Sequence, residues 1–149
     1  MKHNVRANIL FSFLLFGIAF ALNVVWEYLH YVLYVCPLER LPCALLAAFI
    51  DGLIIIGIYF VLALAFNDFF WIRTWSARKI FLTVLLGFFI AYFIELRGLY
   101  LERWSYAVSM PLIPYLQVGL SPIAQMIVLP LLSFFLSRFL FKSLEKYLD

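Results

Sequence analysis

Residues 43–66 read CALLAAFIDGLIIIGIYFVLALAF, and this stretch decides the fold. Asp51 is the only charged residue in it. A helix needs about 20 mostly apolar residues, each rising about 1.5 Å, to cross the hydrocarbon core of a membrane. The stretch therefore predicts a transmembrane helix.

Two more segments have the same character. Apolar and aromatic residues dominate positions 8–35, where Glu27 and His30 are the interruptions. From Ile80 the uncharged run is too short to span a membrane, so a helix of spanning length has to continue past Glu95. Glu95 is therefore expected inside the membrane or at its edge.

The last helix follows an apolar connection. The uncharged stretch 104–137 is too long for one helix, so we place the helix at 119–141 and expect the aromatic, proline-broken residues before it to form an outer loop or lid. The chain is 67% hydrophobic and 13% charged, which excludes an ordinary soluble domain. The prediction is an all-α, polytopic membrane protein, one domain over 1–149, with a bundle of four transmembrane helices at about 8–35, 43–66, 80–100 and 119–141.

The distribution of Lys and Arg predicts the orientation, because these residues favour cytoplasmic loops. With the N-terminus inside, the outer segments hold only Arg40, Arg97 and Arg103, and all the other basic residues are cytoplasmic. This predicts a multi-pass protein of the cell membrane with both termini in the cytoplasm. The net charge of +3 then reflects contact with membrane lipids and gives no indication of nucleic-acid binding. A cleaved signal peptide is a weaker interpretation, because apolar character continues past residue 21.

Two cysteines, Cys36 and Cys43, fall at the ends of the first outer loop. On an oxidising side of the membrane they are candidates for a disulfide that closes this short loop. The alternative is that they are two small apolar residues at helix ends, and both interpretations stay open. A catalytic thiol pair is disfavoured, because the spacing is not Cys-x-x-Cys.

Polar side chains form a stripe on the first helix. Asn23, Glu27, His30 and Tyr34 recur at spacings of four, three and four, which places them on one helical face. Ionisable groups inside a bilayer cost about 2.5 to 3.5 kcal/mol each on insertion scales, so they usually face a bundle interior or a cavity. The stripe is therefore a candidate site in the outer half of the membrane.

The other three helices contribute polar residues to the same half. Asp51 lies about 12 Å below the outer end of the second helix, counted at about 1.5 Å per residue from Cys43. Glu95 lies near the outer end of the third helix with Tyr92 one turn away, and Gln125 lies within two turns of the start of the fourth. This convergence favours one functional site. The structural alternative is interhelical hydrogen bonding, worth about 0.6 kcal/mol per contact.

This polar cluster suggests acid/base chemistry on a lipid-soluble molecule. Paired carboxyl groups in a pocket of low dielectric take different protonation states, which suits one acid and one base. We predict catalytic roles for Glu27 and Glu95 as the acid/base pair, with Asp51 and His30 tuning them. The candidate substrate-binding residues are Asn23, Tyr34, Tyr92, Arg97, Glu102, Arg103, Trp104 and Gln125. The expected ligand is an isoprenoid or another small hydrophobic or amphipathic molecule, and neither a metal nor a cofactor is predicted.

Two other functions fit the same residues. The first alternative is a small proton-coupled transporter or channel subunit, which acts as a homo-oligomer and uses the acids to bind protons and a cation competitively. Its weak point is the inner half, where the sequence places almost no polar residues. The second is a non-catalytic partner in a larger membrane complex.

Overall fold

Four long helices account for most of the chain. The computed structural model describes residues 5–35 and 40–145. Within them, each helix is long and apolar enough to cross a membrane by its length and composition, so the prediction of four helical segments is confirmed. The helices are α1 (Val5–His30), α2 (Arg40–Ala65), α3 (Ala77–Tyr100) and α4 (Leu120–Glu145).

The first helix ends earlier than predicted. The expected helix over 8–35 stops at His30, and a 3-10 turn (Tyr31–Leu33) leads into the short strand β1 (Tyr34–Val35). β1 pairs antiparallel with β2 (Ser105–Tyr106) from the connection before α4. The run of tyrosines and valines here has high strand propensity, and the connection supplies the missing partner. The prediction that Tyr34 continues the helical stripe is therefore wrong, and the all-α fold carries one small ribbon.

The connection between α3 and α4 folds back on itself. Its residues 112–119 form a tight turn closed by a bridge between Leu112 and Gly119. Tyr115 and Gln117 take positive φ values of 67° and 57° in this turn. The Ala107 N–H donates to the carbonyl oxygen of Leu33 at 2.9 Å, which extends the contact with the ribbon. The connection is therefore held against the end of the bundle that carries the ribbon, called here the ribbon end.

The four helices form an open arc. α1 packs along both α2 and α4, and α3 packs along α4. α2 and α3 touch each other little, so the order around the bundle is α2, α1, α4, α3. A gap between α2 and α3 follows from this order.

Small residues allow α2 to approach α1 closely. Ala44, Ala48 and Gly52 repeat every fourth position and are all buried. A Cβ atom at Gly52 would lie 3.2 Å from the ring of Phe16 and 3.6 Å from the Cα atom of Phe20. The small-residue ridge of α2 therefore faces α1, and close packing of backbones is how helices associate in a bilayer.

The contact between α3 and α4 depends on Gly87. A Cβ atom at this position would lie 1.9 Å from the carbonyl oxygen of Met126. Pro130, one turn further along α4, has no N–H and cannot donate to that oxygen. The proline therefore leaves the Met126 carbonyl without its helical hydrogen bond, and Gly87 allows the α3 backbone to pack directly onto it.

Aromatic rings fill the bundle at the end opposite the ribbon. The Phe11 ring lies 5.3 Å from Tyr59 and 5.1 Å from Phe141, measured between centroids. Phe134 packs at 5.5 Å from Trp71, and both side chains are fully buried. Offset and edge-on ring pairs of this kind each add about 0.5–1.5 kcal/mol to the area they bury. This end of the bundle is a closed aromatic core.

Candidate functional site

A cavity of about 210 Å³ lies between the helices at the ribbon end. Small and aliphatic side chains from α2 and α3 form its apolar wall, including Ala44, Ala47 and Ala91. Eight of the predicted site residues also line the cavity and are called here its polar wall: Glu27, His30, Tyr34, Asp51, Glu95, Arg103, Trp104 and Gln125. All four helices and the connection before α4 therefore contribute to one cavity.

Gln125 lies at the centre of the polar wall. Its amide nitrogen donates to Asn23 Oδ1 at 2.8 Å, Glu27 Oε1 at 2.7 Å and Asp51 Oδ2 at 2.9 Å. Asn23 is fully buried, and its own amide donates to the carbonyl oxygen of Ala19 at 2.8 Å, which turns its oxygen toward Gln125. An amide nitrogen has only two hydrogens, so the three acceptors share them. One side chain of α4 thus joins α1 to α2.

Glu27 and Asp51 form a carboxyl pair. Both accept from the Gln125 amide, Glu27 Oε1 at 2.7 Å and Asp51 Oδ2 at 2.9 Å, so the two carboxyl groups lie side by side at the wall of the cavity. A protonated carboxyl group donates one hydrogen bond, whereas an ionised one only accepts, so a pair of this kind is suited to hold a proton between its oxygens.

His30 connects this pair to α4. Its Nε2 atom lies 3.0 Å from Glu27 Oε2, and its Nδ1 atom lies 2.7 Å from the Ser121 hydroxyl oxygen. The imidazole is buried, and both of its ring nitrogens have a partner. With both ring nitrogens engaged, the ring is fixed in orientation and links the carboxyl pair to a hydroxyl group at the start of α4.

Glu95 has a separate set of partners. Tyr34 donates to its Oε1 atom at 3.1 Å, and Tyr106 donates to its Oε2 atom at 2.5 Å. Tyr34 and Tyr106 are opposite each other in the β1–β2 ribbon. The Tyr106 hydroxyl also accepts from the Gly119 N–H at 2.9 Å. The ribbon thus directs two hydroxyl groups onto one buried carboxyl group and fixes the start of α4 beside it.

The environment of the two tyrosines resists their ionisation. Burial raises the pKa of Tyr106 above the ordinary value for a phenol, and the hydrogen bond and charge of Glu95 raise it further. Burial and the charge of Glu95 raise the pKa of Tyr34 in the same way. Both hydroxyls are therefore protonated and act as donors at neutral pH.

Trp104 covers Glu95 from the connection before α4. A Cβ atom at Gly98 would lie 1.9 Å from the Trp104 ring, so the glycine makes room for the indole on α3. The indole N–H is buried and makes no hydrogen bond with standard geometry to any described residue, although it lies close enough to Glu95 to interact with it. The cavity thus contains a buried donor beside a carboxyl group.

The structure does not bring all the candidate residues into the cavity. Tyr92 stacks on Phe88 with ring centroids 6.2 Å apart and does not line the cavity. Arg97 and Glu102 are exposed outside it, and Glu102 has a positive φ of 51°. Arg103 lies at the rim, exposed but in contact with the cavity.

Two other predictions concern a disulfide and a metal site. Cys43 lines the cavity, whereas Cys36 lies outside the described residues, so the disulfide between them stays a prediction. In the described ranges 5–35 and 40–145, no three His, Cys, Asp or Glu side chains are placed to hold a metal ion.

The hydrogen-bond network includes three groups outside the predicted site, although the sequence places Ser121 on the same face of the fourth helix as Gln125. Tyr106, the Gly119 N–H and Ser121 all belong to the hydrogen-bond network, and none was among the candidate residues. Ser121 precedes Gln125 by one helical turn, so the stripe on α4 carried a signal for it. Tyr106 had none, because its position depends on pairing with a strand distant in sequence.

Comparison with known proteins finds no matching family model, no matching curated protein and no matching solved structure. The function is therefore argued from the geometry of the cavity.

Proposed function

We propose that this chain is a multi-pass protein of the cell membrane, with both termini in the cytoplasm and the cavity in the outer half of the bilayer. The four apolar helices support membrane insertion. The side is supported by the charges: Arg73 lies between α2 and α3, Arg78 and Lys79 lie in the first turn of α3, and Arg138 and Lys142 lie near the end of α4. Both regions belong to the end opposite the ribbon, where the preference of basic residues for the cytoplasm places the inner surface.

We propose further that the cavity binds an isoprenoid or another lipid-soluble substrate. The observation that carries this proposal is the composition of the cavity, whose lining is mostly apolar and holds a few polar groups, above all the carboxyl groups of Glu27, Asp51 and Glu95. A mostly apolar pocket with a few convergent polar groups is the usual form of a small-molecule site. A substrate dissolved in the bilayer reaches such a site without crossing water.

The chemistry that fits the polar wall is general acid/base catalysis. A proton held by the Glu27 and Asp51 pair adds to a double bond of the substrate, and Glu95 is the base that removes a proton from a neighbouring carbon. The sum of these steps is an isomerisation, which needs no oxidant, reductant or cofactor. Proton transfer by positioned side chains typically contributes about 10²–10⁴-fold in rate. The structure thus suggests one change from the predicted roles, because Asp51 joins Glu27 as part of the acid.

The transporter alternative has less support. A transport pathway needs polar groups through the inner half, but there the described residues pack as an aromatic core around Phe11 and Tyr59. The hydroxyls of Thr83 and Ser137 donate to carbonyl oxygens of their own helices, at 2.9 and 2.6 Å. These groups provide no continuous polar route across the monomer. Assembly into an oligomer stays a prediction.

The test is to purify the protein from its native membrane, identify bound small molecules by mass spectrometry, and incubate the complex in heavy water. We expect a lipid-soluble ligand that acquires deuterium at carbon, because a proton from an acid in exchange with solvent is added there. Asp51→Asn and Glu95→Gln should abolish the incorporation. Glu102→Gln is the control, since Glu102 is exposed and outside the cavity. Absence of any ligand, together with solute uptake into proteoliposomes driven by a pH gradient, would overturn the proposal in favour of transport.

A further inference from the structure

The cavity has a lateral mouth between α2 and α3. Ile50 of α2 and Ile94 of α3 both line the cavity, and these residues are 48% and 38% exposed. Ala47 and Ala91 flank them with side chains of a single methyl group. The mouth therefore lies in the gap that the arc of helices leaves open, and its walls are entirely apolar.

The mouth opens at the depth of lipid tails. Ile50 is ten residues from the start of α2 at Arg40, which is about 15 Å along the helix at about 1.5 Å per residue. Ile94 is six residues from the end of α3 at Tyr100, which is about 9 Å by the same measure. Both positions lie below the headgroup region, so a molecule that passes the mouth comes from the hydrocarbon.

The size of the cavity limits what it encloses. The volume of about 210 Å³ is below the range of about 300–1,000 Å³ that is usual for pockets that enclose drug-sized ligands. A whole membrane lipid is several times larger. The cavity therefore encloses the head of a ligand, and the rest of the molecule has to extend through the mouth into the bilayer.

The polar wall selects the chemistry of the head. Three carboxyl groups, of Glu27, Asp51 and Glu95, face the cavity. The basic residues among the described residues that line the cavity are His30, which is paired with Glu27, and Arg103, which lies at the exposed rim. Bringing a phosphate or carboxylate among these acids costs electrostatic energy in a medium of low dielectric, whereas a group that donates hydrogen bonds finds acceptors there.

We propose that the ligand is a single-chain lipid whose small head carries a hydroxyl or an amine and whose tail lies between α2 and α3. The proposal rests on the proposed function, because it specifies the substrate class of the same cavity. It joins two independent observations, the apolar mouth with its small enclosed volume and the acceptor-rich wall. Phospholipids and fatty acids are excluded as substrates by the charge of their heads.

The test uses hexadecanol with a diazirine in its chain, photo-crosslinked to the protein in neutral lipid vesicles. We expect labelling of the peptides that contain residues 47–50 and 91–94. Unlabelled hexadecanol and hexadecylamine should compete, and hexadecanoate and hexadecyl phosphate should compete at least about tenfold more weakly. Ala47→Phe and Ile94→Trp, which narrow the mouth, should reduce labelling by a similar factor. The matched control is Leu64→Trp, because Leu64 is 81% exposed on α2 at the other end of the helix.

Each outcome decides one part of the proposal. Equal competition by the anionic lipids would overturn the assignment of the head and leave the proposed function intact. Labelling of the mouth variants at the level of Leu64→Trp would overturn the path of the tail. Absence of cavity labelling by any probe, with no ligand found in the purified protein, would overturn both this inference and the proposed function.

Discussion

Substitution of Gly87 by alanine tests the packing that shapes the cavity. The new Cβ atom would lie 1.9 Å from the Met126 carbonyl oxygen, whereas carbon and oxygen in such contacts are normally about 3.3–3.6 Å apart. α3 and α4 would have to separate by about 1.4 Å or more at this point to relieve the clash. The obstacle is backbone rather than a flexible side chain, so rotation of a side chain gives no relief.

The cost can be isolated with a second glycine. Gly57→Ala is the control, because a Cβ atom there meets nothing within 4 Å. Both substitutions gain the same helix propensity, up to about 1 kcal/mol, so this term cancels in the comparison. The remaining difference is the overpacking cost, about 1–3 kcal/mol. We therefore expect Gly87→Ala to be less stable than Gly57→Ala by this amount.

The assay is the free energy of unfolding in mixed micelles, obtained from a titration with a denaturing detergent and followed by circular dichroism. Ala91 lies one turn from Gly87 and Met126 lines the cavity, so the same variant should also weaken ligand binding. Equal unfolding free energies for the two alanine variants would refute the assignment of Gly87 as the close contact between α3 and α4.

Three further predictions concern the ribbon end. Tyr106→Phe leaves the Gly119 N–H without its acceptor and should lower the unfolding free energy by about 1–3 kcal/mol, whereas Tyr100→Phe on an exposed residue should change it little. Gly98→Ala should displace the Trp104 ring and shift the tryptophan emission, and unchanged emission would contradict the contact. Because folding raises the pKa of Tyr106, its contribution to the free energy of unfolding is fully present below about pH 10, the pKa of an unfolded phenol. This contribution should fall as the pH rises above that value, and Tyr106→Phe should lack that part of the pH dependence.

The sequence alone was sufficient for the helices and for most of the polar wall. Charge-free length fixes where a chain can cross a bilayer, and the 3.6-residue period fixes which residues share a helical face. Asn23, Glu27 and His30 follow from such local rules. Asp51, which belongs to another helix, was expected near them because a buried acid has to face a polar partner.

Only the tertiary structure decided which groups touch. Tyr34 and Tyr106 meet on Glu95 through a ribbon between segments far apart in the chain, and no local pattern encodes that pairing. The gap between α2 and α3 likewise depends on the order of helices around the bundle, which is set by close contacts such as that of Gly87 with the Met126 carbonyl. Periodicity places a side chain on a face of its own helix, whereas the partner of that face is chosen by packing between helices.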